Sequence, residues 1–446
     1  MAKITIIGGG LAGSEAAWQA AEFGLEVDLF EMRPAKMTGA HSTGDLAELV
    51  CSNSLGSLQP DRASGLLKEE LRMLNSLLVK CAEMSAVPAG SALAVDRRLF
   101  SKLISEKLEN HPRIRIIREE VTGIPTSPCI IASGPLTSPR LSQSIMKITG
   151  QDSLFFYDAI APTIETSSIN MSLAFRASRY AFEKEEIGDY INCPLSLEEY
   201  NQFVNNLVAA DSIPLREFEQ EIKLGVKAGI HKYFESCLPV EIIAQRSHDA
   251  LAYGPLRPVG LHDPRTGKGA YAVVQLRQDN RAGDQVNMVG FQTNLRVAEQ
   301  KRVFRLIPGL EKAEFSRFGQ MHRNTYIASP LLLKPTLQFQ KRDDLFFAGQ
   351  ITGVEGYLGN IASGLLAGMN IFRLVTGKEA ITLPPTTILG ALCAYISSAD
   401  LADFQPMKAN FGILPRLALK EKRKLVRIDA YAKRSLADLT LAIELF

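Results

Sequence analysis

The chain has almost no net charge: 50 Lys and Arg face 48 Asp and Glu, leaving +2. Nothing global therefore draws it to nucleic acid or to an acidic membrane face, and any basic surface must be local. It has no uninterrupted apolar run of the ~18 residues that cross a bilayer, and Met1-Ala2-Lys3 leads directly into a strand-like segment without a cleavable leader. The expectation is a cytoplasmic protein with no membrane association. The six cysteines, at 51, 81, 129, 193, 237 and 393, form no C-x-x-C pair, which argues against a zinc knuckle or a disulfide scaffold, and no metal site is expected. Internal repeats and low-complexity tracts are missing as well. What is present is ordinary globular composition, with 46% of 446 residues apolar and room for about three domains of ~150 residues.

Residues 4–7 form a short β-branched run, followed at once by Gly8-Gly9-Gly10-Leu11-Ala12-Gly13 and an Ala-rich helical stretch ending near Gly24. A second strand, 25–30, delivers Glu31, 23 residues after Gly8. Strand, glycine turn, helix, strand and acidic residue make a dinucleotide-binding fingerprint. Gly8 permits the tight turn, Gly10 lets the backbone approach a pyrophosphate, and Gly13 allows close helix packing. The helix N-terminus offers amide donors and a positive dipole to phosphate. Glu31 is placed to accept from ribose hydroxyls.

Further on, the pattern predicts a helix over 63–78, a helix over 97–109, a strand over 113–121 and a strand over 129–132 that meets Ser133-Gly134-Pro135. From about 155 to 315 the α/β alternation loosens, with strand-like runs at 271–276 and 286–291, as in an inserted domain. Alternation resumes at L-F-F-A-G (345–349), then a loop with Gly349, Gly353 and Tyr357, then an apolar helix over 362–375. A second strand and glycine turn suits FAD, which is long enough to need one contact at its pyrophosphate and another at its isoalloxazine end. A tight turn in any α/β sheet is the bland alternative. The expected fold is α/β, a Rossmann-like FAD-binding domain of the two-dinucleotide-fold flavoprotein type with a smaller inserted α+β domain. The expected boundaries are 1–150 and 318–446 for the two parts of the FAD domain, the latter ending in a basic helical region, and 151–317 for the insertion.

Longer motifs then carry a resemblance. They are A-E-L-V-C-S-N-S-L at 47–55, G-L-L-K-E-E-L-R at 65–72, V-P-A-G-S-A-L-A-V-D-R at 87–97, C-L-P-V-E at 237–241, A-V-V-Q-L-R-Q-D-N at 272–280, M-H-R-N-T at 321–325 and F-Q-P-M-K-A-N-F-G at 404–412. Across nearly its whole length the chain resembles the TrmFO family of folate- and FAD-dependent tRNA (uracil-5-)-methyltransferases, and more distantly the longer GidA-type flavoproteins. The resemblance implies transfer of a one-carbon unit from methylenetetrahydrofolate to C5 of a T-loop uridine in tRNA. FAD completes the methyl group, and NAD(P)H is the reductant. Ribosomal RNA is an alternative substrate. A non-methylating RNA-binding flavoprotein and a small-molecule NAD(P)H oxidoreductase are the rival classes. No obligate protein partner is evident.

Uracil C5 is a poor nucleophile until a group adds at C6, so the chemistry needs a thiolate and a base for the C5 proton. By resemblance Cys237 is the nucleophile and Cys51, amid Ser52, Asn53 and Ser54, the base near the flavin; exchange of these roles is the alternative. The other four cysteines are expected to be structural. His322 and Arg323 are assigned to folate, and Tyr357 to the isoalloxazine, with core packing as its alternative. Eight Lys or Arg between Arg416 and Arg434, with Lys301, Arg302, Lys341 and Arg342, are candidate phosphate contacts. The chain departs from the family pattern at Ser236, at Arg246-Ser247-His248-Asp249, at Gly359-Asn360 and at Lys408. The second of these, just beyond Cys237, puts the RNA substrate in question more than the chemistry.

Overall fold

A computed structural model describes residues 2–150, 154–179, 188–213, 238–418 and 423–444, and the side chains of these residues except 154–158, 322 and 323. The nucleophile candidate Cys237 lies outside the described residues.

Alternating apolar residues in Lys3–Ile7 and Glu26–Phe30 bury one face of each strand, and the two pair in parallel. They sit in a six-stranded sheet in the order Gln338–Phe339, Arg342–Phe347, Cys129–Ile131, Lys3–Ile7, Glu26–Phe30, Ile114–Ile117, antiparallel only at its first pair. The late strand Arg342–Phe347 lies directly beside Cys129–Ile131. Chain from the far end is thereby woven into the first sheet, next to the glycine turn. A second six-stranded sheet, assembled from strands between Thr163 and Arg317, has its own apolar core around Tyr200, Phe203, Phe291 and Phe304. The strands Leu154–Ala159 and Met321–Tyr326 pair with each other.

The helix Leu11–Glu22 packs along Tyr357–Val375 at very short range. A Cβ on Gly364 would stand 2.2 Å from the Ala12 carbonyl oxygen, and one on Gly368 2.7 Å from that of Ala16. Tyr357–Val375 begins five residues before the expected 362, because the helix starts directly at the glycine loop, with Gly356 as its N-cap at φ +81°. It is long and apolar enough to cross a membrane, yet 78% of its apolar window is buried inside the protein, so the fold itself accounts for its composition.

The helix expected over 63–78 is two helices, Ala63–Met73 and Leu77–Met84. The break has a local and a distant cause. Asn75 takes φ +58°, a conformation Asn tolerates better than most residues. Ser76 then caps the second helix at Val79, while the buried carboxylate of Glu15 accepts from Ser76 Oγ at 2.8 Å, Leu77 N at 3.2 Å and Leu78 N at 2.9 Å. The strand expected over 113–121 is shorter, Ile114–Ile117, the edge strand paired in parallel with Glu26–Phe30.

A second buried carboxylate docks the C-terminal helices. Glu70 accepts from Ile388 N at 2.7 Å, Leu389 N at 3.0 Å and Ser435 Oγ at 2.6 Å, joining the N-terminus of Ile388–Ser398 and the helix Lys424–Ile443 to Ala63–Met73. Burial pushes its pKa up to about 7 against the pull of those three donors. The folded state therefore holds this proton more tightly than the unfolded chain does. The associated stability is fully present below the ordinary value of 4.5 and is lost as pH rises through about 7. Thermal midpoints between pH 5 and 8 should fall accordingly. Glu70→Gln should flatten that slope while lowering stability by about 1–3 kcal/mol, since an amide cannot accept from all three donors.

Candidate functional site

A cavity of about 1000 Å³, counting its open mouth, lies where the two packed helices begin. Its lining includes Gly8, Gly10, Leu11, Ala12 and Glu31 from the first glycine segment, with Gly349, Gln350, Tyr357 and Asn360 from the second. Both helices start without a side-chain cap, from Gly10 and from Gly356. Their first amides have no intrahelical acceptor, and both positive dipole ends meet one space.

The glycines divide the work. A Cβ on Gly8, at φ +105°, would collide with the Ala132 carbonyl oxygen at 2.5 Å, and one on Gly13 with the Gly8 carbonyl oxygen at 1.8 Å, so both are demanded by backbone packing. A Cβ on Gly10 would meet no protein atom within 4 Å, and that open side belongs to the cavity. Gly9 turns inward, donating to Glu31 Oε2 at 3.0 Å. Gly349 abuts Ala12, and Gly353 abuts the ring of Phe404 away from the cavity lining. Asn360 Oδ1 is buried on the lining with no hydrogen-bond partner in the protein, an acceptor waiting for a ligand donor. The lining therefore fits a long ligand with phosphate at one helix end and a polar ring at the other.

Glu31 is more committed than its spacing suggests. Its oxygens accept from Gly9 N, from Arg33 N and Nε at 2.9 Å each, and from Arg33 Nη2 at 3.1 Å. Burial alone would raise its pKa, but the Arg33 hydrogen bonds and charge outweigh it and hold the carboxyl below its ordinary value. Arg33, itself buried, also reaches Glu48 Oε2 at 3.1 Å. A ribose hydroxyl arriving at Glu31 must therefore displace one of four donors.

Cys51 sits one residue past Val50, which lines the cavity, on a loop gripped from several directions. Its Sγ lies 3.9 Å from the Ala159 carbonyl oxygen. The Tyr357 hydroxyl accepts from Cys51 N at 2.9 Å and Ser52 N at 3.1 Å. Burial, reinforced by the nearby Cys51 charge, raises the Tyr357 pKa and keeps its proton in place. Three arginines hold the rest of the loop. Arg97 Nη1 donates to Leu49 O at 3.3 Å, Arg317 Nη2 donates to Val50 O, and Arg277 Nε donates to Asn53 Oδ1 at 2.8 Å. Asn53, fully buried, passes its amide on to Val95 O at 3.0 Å and Gln278 O at 2.9 Å. Arg97 Nε bonds Asp279 Oδ1 at 3.0 Å; its Nη2 is equally close but too poorly aligned to bond. Burial, with repulsion from Arg97 adding to it, lowers the pKa of both Arg277 and Arg317, although guanidinium stays protonated.

Cys51 and Tyr357 are thus brought together, and Tyr357 lines the cavity with Gly10 and Gly349. His322 and Arg323 lie on the strand Met321–Tyr326, in register with Asp158 and Tyr157, but their side chains are outside the described set. Cys81, Cys129, Cys193 and Cys393 are buried, and burial raises Cys81 to about 11 and the others to about 12, values of inert packing groups. Among the phosphate candidates, Arg342 is spent on Pro125 O, Ser127 O and Asp344, and Arg302 on Glu299 and Asn206. In the C-terminal stretch Arg434 donates to Pro415 O and Lys433 pairs with Asp429; Lys420 and Lys422 lie outside the described residues. No metal-holding group of His, Cys, Asp and Glu occurs among the described residues. Arg33, Arg97, Arg277 and Arg317 do not stand out in the sequence as parts of the site, whereas Asn53 does as a neighbour of Cys51. Arg97 and Arg277 lie inside the motifs at 87–97 and 272–280, which is the one signal for them.

The family model described as glucose inhibited division protein A matches residues 3–379. The Heliobacterium modesticaldum protein named methylenetetrahydrofolate–tRNA-(uracil-5-)-methyltransferase TrmFO is 55% identical over 437 residues, covering 98% of this chain and 97% of that one. A protein of the same name from Enterococcus faecalis is 55% identical over 434 residues, covering 97% of each. Among solved structures, Aquifex aeolicus GidA superposes with a TM-score of 0.69 at 17% identity, covering 99% of this chain and 73% of that one, a likeness of fold.

The contrast between two glycines makes the cavity testable. Gly10→Leu should leave the thermal midpoint of the ligand-free protein nearly unchanged while abolishing co-purifying nucleotide. Gly13→Ala should lower the midpoint itself, because its methyl has no room. Absorbance of the released cofactor and calorimetry of the stripped protein check both.

Proposed function

Because the chain belongs to the TrmFO family, within the wider GidA family, we propose that it methylates C5 of uridine in tRNA with methylenetetrahydrofolate as carbon donor. The T-loop uridine is the target and NAD(P)H the reductant. The observation that carries the reading is the identity of 55% over 437 residues with a protein of that name. The lining supports FAD as resident cofactor: the open face of Gly10 and the uncapped amides after it suit the pyrophosphate, while the Tyr357–Val375 N-terminus, Asn360 and Tyr357 suit the ring end. When bound, FAD supplies the electrons that convert the transferred one-carbon unit to methyl.

The remaining steps belong to side chains. Cys237 adds to uracil C6, making C5 nucleophilic toward the folate carbon, and leaves at the end. Cys51 removes the C5 proton. Its loop is suited to that task because Tyr357, Arg97 and Arg317 hold the backbone on both sides of the thiol and Arg277 holds the Asn53 side chain. His322 and Arg323 hold the folate.

RNA incubated with methylenetetrahydrofolate and NAD(P)H and digested to nucleosides should yield 5-methyluridine from tRNA, and none when S-adenosylmethionine replaces the folate. Product from ribosomal RNA fragments alone would move the substrate; product from S-adenosylmethionine alone would overturn the reading. With 5-fluorouridine RNA, Cys237→Ala should lose turnover and the trapped adduct together. Cys51→Ala should lose about 10²-fold or more in turnover yet still trap RNA. Both variants must retain FAD, and the reverse pattern would exchange the roles.

A further inference from the structure

Asn360 is the one side chain of the cavity lining that has a buried polar atom without a partner among the described residues. It is only 8% exposed, and its Oδ1 meets no donor. The hydrogen bonds that hold the residue belong to its backbone, from its N to Gly356 O at 3.0 Å and from Ser363 Oγ to its O at 3.0 Å. Polar side chains around it are engaged. Gln350 gives Nε2 to Glu355 Oε1 at 2.7 Å, and Ser363 Oγ also takes Gly349 N at 2.9 Å. An amide oxygen buried without a donor is unfavourable unless a ligand completes it.

Position selects the part of the ligand that meets it. Asn360 follows Tyr357 in the same helix, about 4.5 Å further along the axis, on the way to the crossing where Gly364 touches Ala12. A Cβ on Gly349 would lie 2.8 Å from Ala12 Cβ and 3.7 Å from Asn360 Oδ1, so Gly349 adjoins both. The lining therefore runs from Gly10 past Ala12 and Gly349 to Asn360, and then to Tyr357. In FAD the stretch between pyrophosphate and isoalloxazine is the ribityl chain, and its polar groups are hydroxyls.

Hydroxyls also suit this amide chemically. Phosphate oxygens only accept, whereas a hydroxyl both donates and accepts. The terminal torsion of an Asn side chain is broad, and no bond of the amide to the protein fixes it here. Whichever end of the amide turns to the cavity, a hydroxyl is its complement.

We propose that the Asn360 amide binds a hydroxyl of the FAD ribityl chain, so that the cofactor completes a hydrogen bond the protein leaves open. The inference rests on the reading of FAD as the resident cofactor. It deepens that reading by assigning one side chain to the segment that joins the two ends of the molecule.

The test is titration of the full-length protein, stripped of its cofactor, with FAD and with analogues that each lack one ribityl hydroxyl, followed by flavin fluorescence. Asn360→Ala should bind FAD roughly 5- to 150-fold more weakly, the effect of leaving a buried hydroxyl without its partner. Wild type should lose a comparable factor with one of the analogues. Asn360→Ala should lose little more with that same analogue, because both changes delete one contact. The stripped Asn360→Ala protein should melt no lower than stripped wild type, since the substitution removes an unpaired polar group and leaves a good helix former. Wild-type FAD affinity in Asn360→Ala would overturn the proposal, as would losses that add independently for every analogue. A lowered midpoint of the stripped variant would overturn it too, marking a residue that serves the fold. Stripped wild type that bound no FAD would instead overturn the reading on which the proposal rests.

Discussion

The close approach of two helices is the constraint from which the site follows. Leu11–Glu22 and Tyr357–Val375 touch backbone to backbone because Gly364 and Gly368 leave no side chain between them and Ala12 and Ala16. That contact brings two helix N-termini, from opposite ends of the chain, to one cavity. Neither terminus has a side-chain cap, so amides that elsewhere would be satisfied locally remain available. An N-terminus left bare in this way is unfavourable unless water or a ligand meets it. Two facing the same space suit a ligand that is anionic or strongly polar at both ends.

The second sheet enters the site through its arginines. Arg277 and Arg317 extend from strands of that sheet into the loop that carries Cys51, where they join Arg97 from the first layer. Their buried charge is costly unless paired, and the structure pairs it mostly with carbonyl and amide oxygens. Three guanidinium groups are thereby built around the loop that carries Cys51.

Features that depend on neighbours in sequence were legible without coordinates. The glycine turn, Glu31 and the helix Arg97–Glu109 follow from local pattern and spacing, and the strand Arg342–Phe347 falls where a buried apolar run ends in glycine. Features set by distant partners were not. The break at Asn75 is fixed from outside by Glu15, 60 positions earlier. Arg33 takes up Glu31, a pairing of near neighbours that the spacing to Gly8 does not reveal. The grip on residues 49–53 is assembled from Arg97, Arg277, Arg317 and Tyr357, which sequence order scatters.

If both helix ends serve one two-ended cofactor, neither half of it should bind as the whole does. Titration of the stripped protein with FAD, FMN and ADP, followed by flavin fluorescence and calorimetry, measures this. FAD should bind far more tightly than either half, because only FAD reaches from the Gly10 end to the Tyr357 end. FMN or ADP binding as tightly as FAD would show that one helix end suffices, and would contradict it.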